Sequence, residues 1–214
     1  MESIGAQLWL VGYDVGKGGP RGGRRLSYAI TGGLLCNLLL RGKVGADGEW
    51  CRLTDPTPLG CPGPDDLLGQ IAAEPRRSRT WLGWIRGYAR DAQNAVVEEL
   101  EEHGRLVRYE RRVLGVLALP RHSLIDPMRA DRLRTAIRHA ATAPPGAPCE
   151  RRLAALTVLT GLAGLGPVPA GDDQMKVRAR ADELEATLPV GGRAVLAAVR
   201  AATVDSYVPA VAVG

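Results

Sequence analysis

The chain has 214 residues, enough for one domain with a sizeable core. Its composition, 45% hydrophobic and 24% charged, excludes general disorder. Lys+Arg 28 against Asp+Glu 23 gives a formal charge of +5, and Lys17, Lys43 and Lys176 are the only lysines, so any anion chemistry falls to arginine.

The opening Met1-Glu2-Ser3-Ile4-Gly5 has no basic stretch followed by an apolar one, which predicts no secretory leader. Gln7 to Tyr13 is a short apolar run around Trp9. Residues 16–23, four of them glycine after Gly16, read as a mobile loop. Gly12 to Gly18 resembles a phosphate-binding loop, but it is one residue short and lacks the metal-holding Ser or Thr.

Arg25 to Arg41 reads as a buried helix. Leu26, Ile30, Leu34, Leu35, Leu38 and Leu39 recur at helical spacing, and Gly42 is the stop. The internal Gly32 and Gly33 suggest close approach of a neighbouring element. Val44 to Leu53 predicts a strand pair turning at Asp47-Gly48, followed by a turn at residues 55–58 and a helix starting at Pro64-Asp65-Asp66. Thr80 to His103 predicts a helix broken near Gly87, with Ala89, Ala92, Val96 and Leu100 inward. Glu98, Glu99, Glu101 and Glu102 read as its solvated face.

Leu106 to Pro120 predicts a hairpin turning at Glu110-Arg111-Arg112. Asp126-Pro127 caps a further helix with Leu133, Ile137 and Ala140 inward, and residues 142–149 form a linker. The uncharged stretch Leu153 to Gly171 is broken by Gly164, Gly166, Pro167 and Pro169, so it predicts a core helix and a loop rather than a bilayer span. Two helices follow, one capped by Asp172-Asp173 and one from Gly192 to about Thr203. The expected fold is mainly α: residues 1–214 as a single globular multi-helix domain around a buried apolar helix, with one or two small β-hairpins.

Four cysteines without a CxxC pair point away from zinc and thioredoxin chemistry. A Cys51–Cys61 disulfide is conceivable, but four reduced thiols in a cytoplasmic protein is the simpler reading. No cofactor motif and no metal-ligand spacing occurs, and no nucleic-acid motif accompanies the charge. The basic groups are Arg21-Arg24-Arg25, Arg76-Arg77-Arg79, Arg86 with Arg90, and Arg111-Arg112. The second and third flank Trp81, Trp84 and Tyr88, which suits either a membrane interface, with guanidinium on phosphate and indole at headgroup depth, or a helix with core tryptophans and solvated arginines. An enzyme reading is the alternative, a helical small-molecule site in secondary metabolism with Asp14, Asp126, His122 and His139 as acid/base candidates.

The order of segments carries a resemblance. Leu38-Leu39-Leu40-Arg41-Gly42-Lys43-Val44 closes the first long helix, and residues 55–60 precede the Asp65-Asp66-Leu67-Leu68 helix. Residues 97–106 lead into the hairpin, Arg151-Arg152-Leu153 opens the apolar helix, and Met175-Lys176-Val177-Arg178 and residues 195–199 complete the set. From about residue 7 to 204 this resembles the Golgi phosphoprotein family (the GPP-type domain), in the short form found in actinobacteria.

The resemblance implies a non-enzymatic peripheral membrane adaptor that holds the phosphatidylinositol 4-phosphate headgroup in a basic pocket and self-associates through a protruding hairpin, here 106–120. Of the family's pocket positions, Trp and Arg of the first long helix become Gly22 and Thr31, Arg90 matches, and Gln93 replaces a second basic residue. Arg24 and Arg25 stand close enough in sequence to supply substitute charge. The expected site is therefore Arg24, Arg25, Arg90, Gln93 and Trp84, for an anionic lipid headgroup on the inner face of the membrane.

Overall fold

The computed structural model describes residues 2–74, 79–113, 117–166 and 172–205, with the side chains of residues 110–120, 172 and 173 outside the description. Nine helices and three two-stranded antiparallel ladders lie within it: mainly α, with small hairpins.

Helix α1, Ile4–Gly12, forms from the apolar run around Trp9 and starts three residues before it. The Ser3 hydroxyl accepts the Ala6 N–H at 3.0 Å, the usual N-cap geometry. Only Gln7 of its nine residues escapes full burial, so this helix is apolar all round and sits inside the molecule.

Strands β1, Tyr13–Asp14, and β2, Gly19–Pro20, close the glycine-rich stretch expected to be mobile. The Asp14 carboxylate accepts N–H bonds from Gly16 and Lys17, and Arg21 pairs with it at 3.6 Å.

Helix α2, Gly23–Leu40, is the element around which the others pack; α1, α3, α4, α5, α7 and α9 all touch it. It ends as the sequence requires. Gly42, at φ +70°, donates to the Leu39 carbonyl, and the Lys43 N–H reaches the Leu38 carbonyl at 2.9 Å. This pair of bonds is the Schellman closure that a residue in the left-handed region permits. Gly32 and Gly33 mark two close crossings. A Cβ on Gly33 would lie 2.9 Å from the Gly5 nitrogen of α1, and one on Gly32 would lie 2.6 Å from Val199 Cγ2 of α9, Val190–Asp205.

Strands β3, Val44–Asp47, and β4, Trp50–Leu53, form the expected hairpin with Gly48 at φ +60° in its turn. Helix α3 spans Pro62–Ala73 and starts at Pro62, two residues earlier than predicted. Asp65 holds the entering chain, its carboxylate accepting the N–H groups of Leu59 and Cys61. The expected break near Gly87 separates α4, Trp81–Gly87, from α5, Ala89–Glu102, with Tyr88 at the junction.

Strands β5, Leu106–Val113, and β6, Leu117–Leu124, pair along eight residues each. Glu110, Arg111 and Arg112 lie within β5 opposite Pro120, Leu119 and Ala118, so the predicted turn at these charges is corrected to strand. Backbone pairing of this kind does not depend on the charge of the residues it carries, so a charged run alone is a weak turn signal.

Helix α6, Pro127–Thr142, is capped by Asp126 as expected, α7 spans Arg151–Leu162, and α8 spans Asp172–Ala186. The side chains of the predicted Asp172-Asp173 cap lie outside the described residues. The segment joining α6 to α7 is fastened by Arg180 of α8, 5% exposed, which donates to the carbonyls of Ala140 and Ala147 and pairs with Glu183. Among the described residues no helix is long and apolar enough to cross a membrane.

None of the four cysteines forms a disulfide, so the conceivable Cys51–Cys61 bridge is absent. Burial pushes the thiols of Cys36, Cys51 and Cys61 up to about 12.

Candidate functional site

The first turn of α2 faces the junction of α4 and α5 across an outward-opening hollow of about 480 Å³. Arg24 and Ser27 line it from α2, and Arg86, Arg90, Gln93 and Asn94 line it from the other side. Arg24 and Arg90 are exposed, and neither has an ion-pair partner among the described residues. Arg86 differs, because Asp205 at the end of α9 pairs with it.

Gln93 fixes the floor. Its Nε2 donates to Ser27 Oγ at 2.6 Å, and that hydroxyl donates in turn to the Gly23 carbonyl. The bond ties α5 to α2 and sets the spacing between the two arginine-bearing turns. Chemically, two unpaired guanidinium groups beside a neutral amide suit a phosphate or carboxylate oxyanion, since each fork can donate two N–H bonds.

Three of the five expected site residues, Arg24, Arg90 and Gln93, thus come together. Arg25 does not line this hollow. It is half-buried, has a partner of its own, and lies near Gly164, just beyond α7. Adjacent helical residues are turned about 100° from each other, so Arg24 and Arg25 face different ways.

Trp84 is 2% exposed and packs in the core with Trp81 and Tyr88, while Arg79 stacks over its ring at 4.6 Å. The core reading of these tryptophans holds, and neither indole lines the hollow. Arg79 is also paired with Glu74; Arg76 and Arg77 lie outside the described residues, as do the side chains of Arg111 and Arg112.

The two remaining family positions do not line the hollow. Thr31 is 0% exposed and donates to the Ser27 carbonyl. Gly22, at φ +108°, has Leu26 Cβ 3.0 Å from where its own Cβ would stand.

The acid/base candidates of the enzyme reading are engaged locally. Asp14 holds its own turn, Asp126 caps α6 and pairs with Arg132, and His139 is exposed in the last turn of α6. His122 packs edge-on to Trp9 with its Nε2 3.6 Å from Glu101, and burial, opposed by Glu101, lowers its pKa. Among the described residues no group of three or more His, Cys, Asp or Glu side chains is placed to hold a metal ion.

Several buried polar groups carry no local sequence signal. Glu2, 3% exposed, binds Arg105 and Arg129. Arg152 donates to Asn37 Oδ1 and the Glu2 carbonyl. Glu99, assigned above to a solvated face, is 0% exposed, and its Oε1 accepts the Ser3 N–H. The correction has a simple geometric cause: in the run from Glu98 to Glu102, position 99 falls on the stripe of Ala92, Ala95, Val96 and Leu100 that faces the core.

A helical domain gathered around one apolar helix, with a long two-stranded hairpin and an arginine-lined hollow where two helices begin, is the class of protein this geometry defines. The sequence model of the Golgi phosphoprotein 3 (GPP34) family matches residues 4–205, and the chain belongs to that family. A search of curated proteins finds no match.

Proposed function

We propose that this protein is a peripheral membrane-binding domain that holds an anionic lipid headgroup between Arg24 and Arg90. Convergence of two unpaired guanidinium groups at an outward hollow is the observation that carries the reading. Family membership supports a phosphoinositide-type headgroup as the ligand class. With Gly22, Thr31 and Gln93 at the other pocket positions, charge rather than a shaped inositol contact sets the selectivity. The expected location is cytoplasmic, at the inner face of the membrane.

Self-association through the β5–β6 hairpin belongs to the same proposal. Val107, Tyr109 and Ile125 are 52%, 42% and 57% exposed. The pairing of Leu106 with Leu124 puts all three on one face of the ribbon, a small apolar patch suited to a second copy.

Vesicle flotation tests the headgroup reading. Near an anionic surface each basic side chain contributes about 1 kcal/mol, so an Arg24→Ala/Arg90→Ala double variant should bind roughly thirtyfold less tightly. Recruitment should require anionic lipid and weaken with salt. Equal recruitment to neutral and anionic vesicles at low salt would rule the proposal out.

A further inference from the structure

A second hollow, of about 390 Å³, opens at the opposite end of α2, about 25 Å along the helix from Arg24. Arg41, at the C-cap of α2, and Arg151, the first residue of α7, line it and are both exposed. Neither has an ion-pair or hydrogen-bond partner through its side chain among the described residues.

Asn37 lies at the back of the hollow and is only 8% exposed. Its Oδ1 accepts both the Ile4 N–H and an Arg152 N–H, which fixes the orientation of the amide. The Nδ2 donor of this lining residue is thereby left without a partner among the described residues. The first turn of α7 borders the same space, and its N-cap residue, Glu150, makes no side-chain cap bond. Its leading N–H groups are free for a ligand.

The lining is therefore rich in donors. Arg41, Arg151 and Arg152 against Glu150 leave a local surplus of two positive charges. Burial is the main cause that lowers the pKa of Arg152, with the Arg41 charge acting in the same direction against Glu150 and Glu99. Leu40 and Leu59 supply an apolar wall beside the charges.

We propose that this hollow is a second anion site, selective for a phosphate monoester whose organic part rests on Leu40 and Leu59. A phosphate monoester carries close to two negative charges at neutral pH and three terminal acceptor oxygens. That matches the surplus charge and the three donor sources, Arg41, Arg151 and the Asn37 amide with the α7 turn behind it. A carboxylate would satisfy only half of the charge. The site is independent of the Arg24–Arg90 reading, because no residue is shared.

Calorimetric titration of the full chain with phenyl phosphate, and separately with inorganic phosphate, provides the test. Phenyl phosphate should bind saturably and more tightly than inorganic phosphate. Arg41→Ala/Arg151→Ala should weaken it at least about tenfold, the loss of one charge-assisted contact, while Arg24→Ala/Arg90→Ala leaves it unchanged. Both arginines are exposed and unpartnered, so far-UV circular dichroism should show the double variant folded; Arg151→Glu should abolish binding by charge reversal. Competition with vesicles containing phosphatidic acid tells the source: displacement of phenyl phosphate from the Arg24→Ala/Arg90→Ala protein points to a lipid monoester, no displacement to a soluble one, and either supports the site. Absence of saturable binding, or a loss equal in the two double variants, would overturn it.

Discussion

The backbone N–H of Ser3 donates to Oε1 of Glu99 at 2.6 Å, joining the start of the first helix to the last turn of the fifth across 96 residues of sequence. Both groups are buried, Ser3 at 1% and Glu99 at 0% exposure. The bond satisfies a main-chain donor at the head of an apolar helix that has no water to turn to. Truncation should be costly. Glu99→Ala leaves the Ser3 N–H unpartnered and should destabilise by about 2–3 kcal/mol in urea unfolding, while Glu98→Ala on the exposed side should stay within about 0.5 kcal/mol. Equal effects at the two positions would show that burial of Glu99 contributes nothing.

Gly33 poses the same kind of test through packing. Alanine has the higher intrinsic helix propensity, by about 1 kcal/mol, so an isolated helix would gain from Gly33→Ala. Here the added methyl would meet the Gly5 backbone nitrogen at 2.9 Å, with Ile4 Cγ2 and Leu8 Cδ1 at 3.1 Å. Backbone cannot swing aside as a side-chain tip can. Overpacking of this kind costs about 1–3 kcal/mol, and the sign of the whole change should be destabilising. Gly69→Ala is the control, since nothing lies within 4 Å of its Cβ position; that variant should be neutral or slightly stabilising in the same unfolding series.

Much of the architecture was legible because its signals are local. Leucine spacing marked α2, Gly42 its end, Gly33 its close crossing, and Asp126 the start of α6; each depends on residues a few positions apart. The polar interior was not. Glu2, Glu99, Arg152 and Arg180 look like ordinary surface charges, and apart from the local Arg180–Glu183 pair the partners named above lie 33 to 150 residues away. The candidate headgroup hollow falls between these cases. Arg90 and Gln93 followed from family resemblance, and Arg24 from proximity in sequence. Arg25 does not line the hollow, because one step along a helix turns a side chain aside, and Trp84 lies in the core, which an amphipathic indole does not distinguish in sequence from a membrane interface.

His122 gives the hairpin a pH response. Its pKa is lowered, principally by burial and in part by Arg108, with Glu101 opposing. A histidine depressed in the folded state binds its proton more readily when unfolded. Stability is thus intact above the unfolded value near 6.5 and declines as pH falls through it, levelling off below the folded value. Urea midpoints measured between pH 8 and about pH 5 should fall for the native chain, and His122→Asn should flatten part of that decline. The main-chain bonds of residue 122, from Tyr13 Oη and to the Gly18 carbonyl, survive the substitution, so a change in slope reports the imidazole alone. An unchanged slope would remove His122 from the acid response.

Thiol reactivity probes whether the core stays closed. Cys36, Cys51 and Cys61 are buried with pKa values pushed up to about 12, so at pH 8 roughly one molecule in ten thousand carries the thiolate at each. Cys149 is half-buried, in the segment before α7, and burial raises its pKa while Arg180 acts against that rise. A disulfide reagent added to native protein should therefore label one thiol quickly and the other three only on the timescale of unfolding. Cys149→Ser should abolish the fast phase, and denaturant should restore three equivalents in that variant. Rapid labelling of a second thiol in the native protein would mean that the packing around α2 opens far more often than burial of this depth allows, and the core assignment would have to yield.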